Sequence, residues 1–202
     1  MDWRKQIVRR GYDSTADEFA AARGPGPEAR WLDRLLGELP AGARVLDLGC
    51  GNGEPIAARL AAAGLAVTGV DLSAEQVRRA AARVPGQFLI ADMAEVEFAP
   101  ASFAAAIAWD SAFHLPPAEQ PALFARVRGW LAPGAPFVVT LGATAGELHT
   151  HHLGQPIYYG ALEPDRSRRE LEAAGFTIEL GEIDDPDDGG HLVLYARAAP
   201  AP

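Results

Sequence analysis

The stretch with the clearest chemical content is Val45-Leu46-Asp47-Leu48-Gly49-Cys50-Gly51-Asn52-Gly53, an apolar run that leads into closely spaced glycines. Glycine has no Cβ, so such a turn can adopt positive φ and lets a ligand lie directly against the backbone. Turns of this kind between a strand and a helix bind ligands at the carboxyl end of the strand. The stretch therefore predicts a binding site at its glycine turn, around Gly49 and Gly51.

Two carboxylates follow at intervals that suit a nucleoside ligand. Asp71 comes directly after the apolar run 66–70, about twenty residues beyond the glycines, where a carboxylate can accept both hydroxyls of a ribose. Asp92 and Met93 follow the next apolar run, 87–91. Taken singly, these residues are also explained by a plain turn, by helix capping and by core packing. Their order, each after a predicted strand, favours one ligand bound along one edge of a sheet.

The elements that must position these residues alternate between strand and helix patterns. The predicted strands cover residues 44–48, 66–70, 87–91, 103–108 and 137–141, and the predicted helices between them cover 56–63, 73–83 and 117–131. This alternation is typical of a doubly wound α/β sheet of parallel strands.

Both ends of the chain depart from that alternation. The first forty residues are predicted to be helical, with Ser14 capping a segment through Phe19 and a second helix over 28–39. After the fifth strand the sequence predicts an irregular stretch over 142–162, a helix over 165–174, and two strands, 176–183 and 191–197, that can pair as a hairpin.

The glycine motif resembles motif I of class I S-adenosylmethionine-dependent methyltransferases. A dinucleotide fingerprint requires G-x-G-x-x-G, but Glu54 occupies the position of its third glycine and Gly53 precedes it. The resemblance implies a Rossmann-like, doubly wound seven-stranded sheet, mostly parallel with an antiparallel last strand and with helices on both faces. It also implies a single domain over 1–202, in which residues 1–40 form a helical lid and residues 142–163 a substrate-covering insertion.

The same resemblance implies S-adenosylmethionine as cofactor and S-adenosylhomocysteine as product. In that family Asp92 would accept the adenine amine, Met93 would pack on the ring, and Tyr12 and Arg23 would belong to the lid over the methionine moiety. The implied cofactor-binding residues are Tyr12, Arg23, Asp47, Gly49, Gly51, Asp71, Leu72, Asp92, Met93 and Trp109.

The methyl acceptor is expected beyond the fourth strand, in the segment 108–116. His114 could act as a general base, because the unperturbed pKa of histidine lies near neutrality, or could simply orient its loop. Tyr158 could wall an apolar substrate or could pack the loop onto the domain. The sequence Trp109-Asp110-Ser111-Ala112 does not match the Asn/Asp, two-proline and aromatic pattern of enzymes that methylate amino groups of bases.

Two further clusters have plain explanations. His149, His151 and His152 are expected to be solvated loop histidines rather than metal ligands, so no metal is predicted. The acidic turn 184–188 is most simply a polar hairpin loop, although its field could attract a cationic acceptor if it emerges on the ligand side.

Composition narrows the choice of function. The net charge of −9 opposes broad contact with nucleic acid, because that affinity is built on phosphate neutralisation. Cys50 is the single cysteine and no stretch is apolar enough for export or a bilayer, so a cytoplasmic protein is expected. We expect methyl transfer to an oxygen or nitrogen of a small molecule. The alternatives are an RNA or protein methyltransferase, an NAD(P)-dependent oxidoreductase and a non-catalytic protein that binds S-adenosylmethionine.

Overall fold

The computed structural model describes residues 2–22, 26–184 and 190–200. Its strands, in chain order, are β1 (Arg44–Leu48), β2 (Ala66–Asp71), β3 (Gln87–Ile90), β4 (Ala105–Ala108), β5 (Pro136–Gly142), β6 (Gly146–His152), β7 (Gln155–Ala161), β8 (Phe176–Asp184) and β9 (His191–Ala198). Seven of them form one sheet in the order β3-β2-β1-β4-β5-β9-β8. Strands β3, β2, β1, β4 and β5 pair in parallel, whereas β9 runs antiparallel to both β5 and β8. The predicted fold class is confirmed.

Helices lie on both faces of this sheet. They are α1 (Trp3–Ser14), α2 (Ala16–Ala22), α3 (Glu28–Glu38), α4 (Ile56–Ala62), α5 (Ala74–Arg83), α6 (Gln120–Trp130) and α7 (Pro164–Ala173), with short 3₁₀ turns at Ala112–His114 and Pro117–Glu119. The expected cap of α5 is present, since the Ser73 hydroxyl accepts from the Gln76 N–H at 3.1 Å. Within the described ranges, no helix combines the length and apolar character that crossing a bilayer requires.

The alternating side chains of β1 show how the core is divided. Leu46 and Leu48 pack with Leu123 of α6 in one cluster, whereas Val45 packs with Trp31 of α3 in another on the opposite face. A fully buried strand needs apolar residues on both faces, which is why this one reads as a nearly continuous apolar run. Among the buried residues of β1, Asp47 alone is polar, and it lies two residues before Gly49 of the glycine turn.

The prediction of an irregular stretch over 142–162 is wrong. Strands β6 and β7 form an antiparallel hairpin, in register from Gly146 opposite Ala161 to His152 opposite Gln155. Its two-residue turn, Leu153-Gly154, has positive φ at both positions, 49° and 77°. Two-residue turns of this kind usually have the sequence Asn-Gly or Asp-Gly, and a leucine in this conformation is uncommon. The sequence therefore lacks the usual signal for a hairpin at this position.

The position assigned to Ser14 is also corrected. Ser14 is the last residue of α1 rather than the cap of the next helix, and its hydroxyl donates to the Arg10 carbonyl at 2.7 Å. The helical prediction for this region holds, because α1 already begins at Trp3 and α2 follows it almost without interruption.

Candidate functional site

The glycine turn forms the floor of a cavity at the carboxyl edge of the sheet. Gly49 and Gly51 line this cavity with φ of 74° and 52°, a conformation that favours glycine. A Cβ atom on Gly49 would lie 2.2 Å from the Cβ of Ser111. Ser111 is held in place because its hydroxyl donates to the Leu48 carbonyl at 2.7 Å. Steric contact and backbone conformation therefore both require glycine at position 49.

The carboxylate after β2 is tied to the glycine turn. One oxygen of Asp71 accepts from the Gly51 N–H and the other from the Ser73 N–H, both at 2.8 Å. Burial raises the pKa of Asp71, and the two N–H donors oppose that shift. Each carboxylate oxygen can accept a second hydrogen bond, so Asp71 keeps acceptor capacity toward the cavity that it lines.

The far end of the cavity, after β3, contains a buried ion pair that the sequence did not suggest. Lys5 of α1 donates to Asp92 with 2.8 Å between Nζ and Oδ2, and it also contacts the Glu119 carboxylate. The Lys5 and Asp92 side chains are each only 6% exposed. Burial alone lowers the pKa of Lys5, but the two carboxylates outweigh it and the pKa is raised. The other Asp92 oxygen accepts from the Ala94 N–H at 2.9 Å.

Helix α1 crosses the cavity and contributes one of its faces. Lys5, Val8 and Tyr12 line the cavity at helical spacings of three and four residues. The segment is attached to α5, because the Ser73 hydroxyl donates to Asp13 at 2.6 Å. Gln76 also lines the cavity, and its buried Oε1 has no hydrogen-bond partner among the described residues. That atom is a buried acceptor whose hydrogen-bonding capacity is unsatisfied.

His114 is held by two hydrogen bonds that define its tautomer. Its Nδ1 lies 2.8 Å from the Tyr158 carbonyl oxygen, which can only accept, so Nδ1 carries the proton. Its Nε2 therefore accepts from the Tyr12 hydroxyl at 2.9 Å. Burial lowers the pKa of His114 to about 4, so the ring is neutral at physiological pH.

The structure brings most of the predicted site residues together. Those that line the cavity are Tyr12, Gly49, Gly51, Asp71, Leu72, Asp92, Met93 and His114. Asp47 is buried and is not among the lining residues, and Trp109 is buried in the core cluster around Trp31. The Tyr158 side chain packs with Val8 and donates to Glu147 at 3.1 Å, away from the cavity. Arg23 lies outside the described residues.

Sequence reasoning missed several cavity residues. Lys5 is the only lysine of the chain, and with Val8 and Tyr12 it occupies one helical face, which is the signal that could have revealed it. Gln76 had no such signal, because a glutamine in the first turn of a helix is ordinary. Tyr159, rather than its neighbour Tyr158, faces open space.

A second cavity lies beside the first, between the end of β5, the β6–β7 hairpin and the start of β9. Phe113, Tyr159 and His191 line it, together with residues 142–148. Asp184 is at the same sheet edge, where one of its oxygens accepts from the His191 N–H at 2.6 Å, whereas residues 185–188 of the acidic turn lie outside the described part of the chain. Within residues 2–22, 26–184 and 190–200, no group of three or more His, Cys, Asp or Glu side chains is arranged to hold a metal ion.

These features define a nucleoside-binding α/β protein: a glycine turn after β1, a carboxylate after β2 and another after β3, all at one cavity. Residues 45–134 match the protein family described as a methyltransferase domain. This match and the structures with the same fold support the class I S-adenosylmethionine-dependent methyltransferase family, which the glycine motif predicted.

Known proteins with related sequences or folds agree with this assignment. The 27-O-demethylrifamycin SV methyltransferase of Amycolatopsis mediterranei (strain S699) is 34% identical over 168 residues, which are 76% of this chain and 61% of that protein. The chain spans 40% to 61% of the length of the first three curated relatives that it matches.

Two solved structures illustrate the range of proteins with this fold. The magnesium protoporphyrin IX methyltransferase of Synechocystis PCC 6803 with bound SAH has a TM-score of 0.74 at 21% identity, covering 96% of this chain and 99% of that one. The [4+2]-cyclase SpnF has a TM-score of 0.72 at 19% identity, covering 98% of this chain and 97% of that one.

Proposed function

We propose that this protein binds S-adenosylmethionine and transfers its methyl group to an oxygen or nitrogen atom of a small molecule. The observation that carries the proposal is the hydrogen bond between Asp71 and the glycine turn. The Gly51 N–H donates to Asp71 Oδ2 at 2.8 Å. This hydrogen bond places the Asp71 carboxylate next to the backbone of Gly51, in the cavity that Asp92 and Met93 also line.

The lining residues fit the parts of this cofactor. Asp71 would accept the ribose hydroxyls, Asp92 the exocyclic amine of adenine, and Met93 would pack on the base. The bare backbone of Gly51 admits the ligand closely, and the unpartnered Gln76 Oε1 offers a further acceptor. The donor–acceptor character of the cavity thus matches a nucleoside without a phosphate group.

When bound, S-adenosylmethionine supplies a methyl carbon that bonds to the acceptor atom while its bond to sulfur breaks and the electron pair stays on sulfur. The protein's contribution is to align the acceptor and exclude water. In this proposal residues 1–40 act as a lid over the cofactor and residues 142–163 cover the acceptor, within one domain over 1–202. The ion pair between Lys5 and Asp92 and the hydrogen bond between Ser73 and Asp13 would hold that lid closed.

The acceptor's proton has a route through Tyr12 and His114. The Tyr12 hydroxyl donates to His114 Nε2 at 2.9 Å, so this pair is aligned for transfer of a proton from the tyrosine to the histidine. As the substrate proton moves to Tyr12, the Tyr12 proton can pass to His114. The low pKa of His114 means that the ring then returns the proton readily to solvent once product leaves.

A small organic acceptor, rather than a nucleic acid or a membrane, is part of the proposal. The net charge of −9 opposes contact with phosphate backbones. Methyltransferases named for small molecules, among them the rifamycin and porphyrin enzymes, are similar in sequence or fold. A small-molecule methyltransferase that works in the cytoplasm is the activity that these observations support best.

Calorimetry with S-adenosylmethionine, S-adenosylhomocysteine and NADH tests the cofactor. We expect both adenosyl ligands to bind and NADH not to bind. Asp71→Asn should weaken binding at least tenfold, about 1.4 kcal/mol, because the amide puts an N–H against one of the two backbone donors. Asp33→Asn, at an exposed carboxylate outside the cavity, is the matched control. Thermal unfolding of both variants separates loss of binding from loss of fold. A preference for NADH would overturn the proposal.

A second candidate is a protein that binds the cofactor but catalyses another reaction, and the cyclase with the same fold gives it weight. Formation of S-adenosylhomocysteine from S-adenosylmethionine with a panel of acceptors discriminates between the two. Bulk tRNA in the same panel tests the nucleic-acid alternative.

A further inference from the structure

The Lys5 ammonium is fixed in the wall of the first cavity. Lys5 Nζ lies 2.8 Å from Asp92 Oδ2 and contacts the Glu119 carboxylate, and the Lys5 side chain is only 6% exposed. Helix α1, which carries Lys5, is also attached near its other end, where Asp13 accepts from the Ser73 hydroxyl at 2.6 Å. Lys5 and Asp92 both line the cavity. The ammonium therefore has a defined position beside the carboxylate that follows β3.

An ammonium group has three N–H donors, and the described residues supply acceptors for two of them. Those acceptors are the carboxylates of Asp92 and Glu119. Their two negative charges outweigh the effect of burial and raise the pKa of Lys5, so the group keeps its three protons at physiological pH. A buried N–H donor without an acceptor is costly. A ligand in the cavity that Lys5 lines can supply the third acceptor.

Asp92 presents acceptor capacity next to this donor. Its Oδ1 accepts from the Ala94 N–H at 2.9 Å, and its Oδ2 accepts from Lys5 at 2.8 Å. Each carboxylate oxygen can accept a second hydrogen bond, so Asp92 can still accept from an amine. The wall of the cavity therefore contains a donor and an acceptor that are direct neighbours.

The edge of an adenine base has the complementary pattern. Its exocyclic amine donates, and the ring nitrogens on either side of that amine, N1 and N7, accept. Asparagine and glutamine recognise adenine with one donor and one acceptor in the same way. The pair formed by Lys5 and Asp92 offers these two groups from two side chains. A purine with an oxygen in place of the amine would instead set that oxygen against the Asp92 carboxylate.

We propose that Lys5 determines specificity for the base of the cofactor: its ammonium donates to a ring nitrogen beside the adenine amine while Asp92 accepts from the amine itself. This inference rests on the proposed function, and it adds a residue of α1 to the base contact that Asp92 makes. Recognition of the base is then complete only while α1 lies across the cavity.

Deaza analogues of S-adenosylhomocysteine, each with one ring nitrogen replaced by C–H, test this contact by calorimetry on the full chain. The 1-deaza and 7-deaza analogues lack a nitrogen beside the amine, whereas the 3-deaza analogue lacks one on the sugar side of the base and is the matched control. We expect one of the first two to bind at least about tenfold more weakly than S-adenosylhomocysteine, because a hydrogen bond from a charged donor is lost. Lys5→Met should abolish that difference. Arg10→Met, at an exposed position of the same helix, should keep it, and the effect of the 3-deaza change should be the same in all three proteins.

A second measurement needs no variant, because Lys5 is the only lysine of the sequence. Protein made with lysine labelled with ¹⁵N at Nζ has a single side-chain ammonium signal. This signal should shift when S-adenosylhomocysteine binds and should shift less with the analogue that binds weakly. If Lys5→Met does not fold, this comparison alone decides the question.

The outcomes separate this inference from the proposed function. Equal affinity for S-adenosylhomocysteine and for both the 1-deaza and 7-deaza analogues would overturn the role of Lys5. The same loss of affinity in Lys5→Met, or an ammonium signal that shifts equally with every ligand, would overturn it too. Failure of S-adenosylhomocysteine itself to bind would instead overturn the proposed function. A loss that is confined to one analogue and absent from Lys5→Met supports the inference and identifies the nitrogen as N1 or N7.

Discussion

Replacing Lys5 by methionine tests whether the buried ion pair holds α1 across the cavity. The change keeps a long apolar stem and removes the charge, so Asp92 loses a partner at 2.8 Å while both side chains are 6% exposed. Removing one member of a buried pair typically costs about 3 to 5 kcal/mol, because the other charge is left uncompensated. We expect Lys5→Met to lower the free energy of unfolding by an amount in that range.

Urea denaturation of the cofactor-free protein measures this loss, and a double variant tests its cause. Lys5→Met combined with Asp92→Asn removes both charges, so about 2 kcal/mol or more of the loss should return. Arg10→Met, at an exposed position of the same helix, is the matched control and should change stability by no more than about 0.5 kcal/mol.

Chemical modification gives a second measurement, because Lys5 is the only lysine in the sequence. A lysine-selective acylating reagent should modify its buried ammonium slowly in the folded protein and rapidly in urea. If Lys5→Met proved no more destabilising than Arg10→Met, or if Lys5 reacted as fast folded as unfolded, the ion pair would not be what fixes α1.

Two further predictions concern the site. Gly49→Ala should destabilise the fold by about 2 kcal/mol more than Gly64→Ala in urea denaturation. Both glycines have positive φ, 74° and 79°, but only Gly49 would place a Cβ against Ser111, so equal losses would contradict the steric account. For His114, the unfolded chain takes up a proton near pH 6.5 and the folded chain only near pH 4. Stability should therefore fall by about 3 kcal/mol as the pH drops through that window. His114→Gln should remove this part of the pH dependence, and an unchanged pH profile would refute the assignment.

The sequence was informative where local chemistry determines structure. The glycine turn, the carboxylates Asp71 and Asp92 and the strand–helix alternation are local patterns, and the structure brings both carboxylates to one cavity. The fold class could be predicted from the same patterns, because few sheet topologies are possible for parallel strands that are connected by helices. The family's antiparallel last strand also matched β9.

The features that escaped prediction depend on contacts between distant segments. Lys5 and Asp92 form an ion pair although they are 87 residues apart in the sequence, and no local sequence pattern predicts such a pair. The β6–β7 hairpin was hidden because its turn uses a leucine at positive φ and because its polar strands resemble a loop. Tyr158 and Tyr159 are neighbours that point to opposite faces of β7, so only the register of that strand decides which of them reaches open space.

The position of β9 has a consequence for how the molecule assembles. Strand β8 is made before β9 but pairs with it and, among the described strands, with no other, so it cannot join the sheet by itself. The β5 edge likewise stays open on one side until residues 191–198 insert between the two. The last two strands of the seven, β9 and β8, can therefore join the sheet only after residue 198 has been synthesised, and until then the β5 edge is exposed to aggregation.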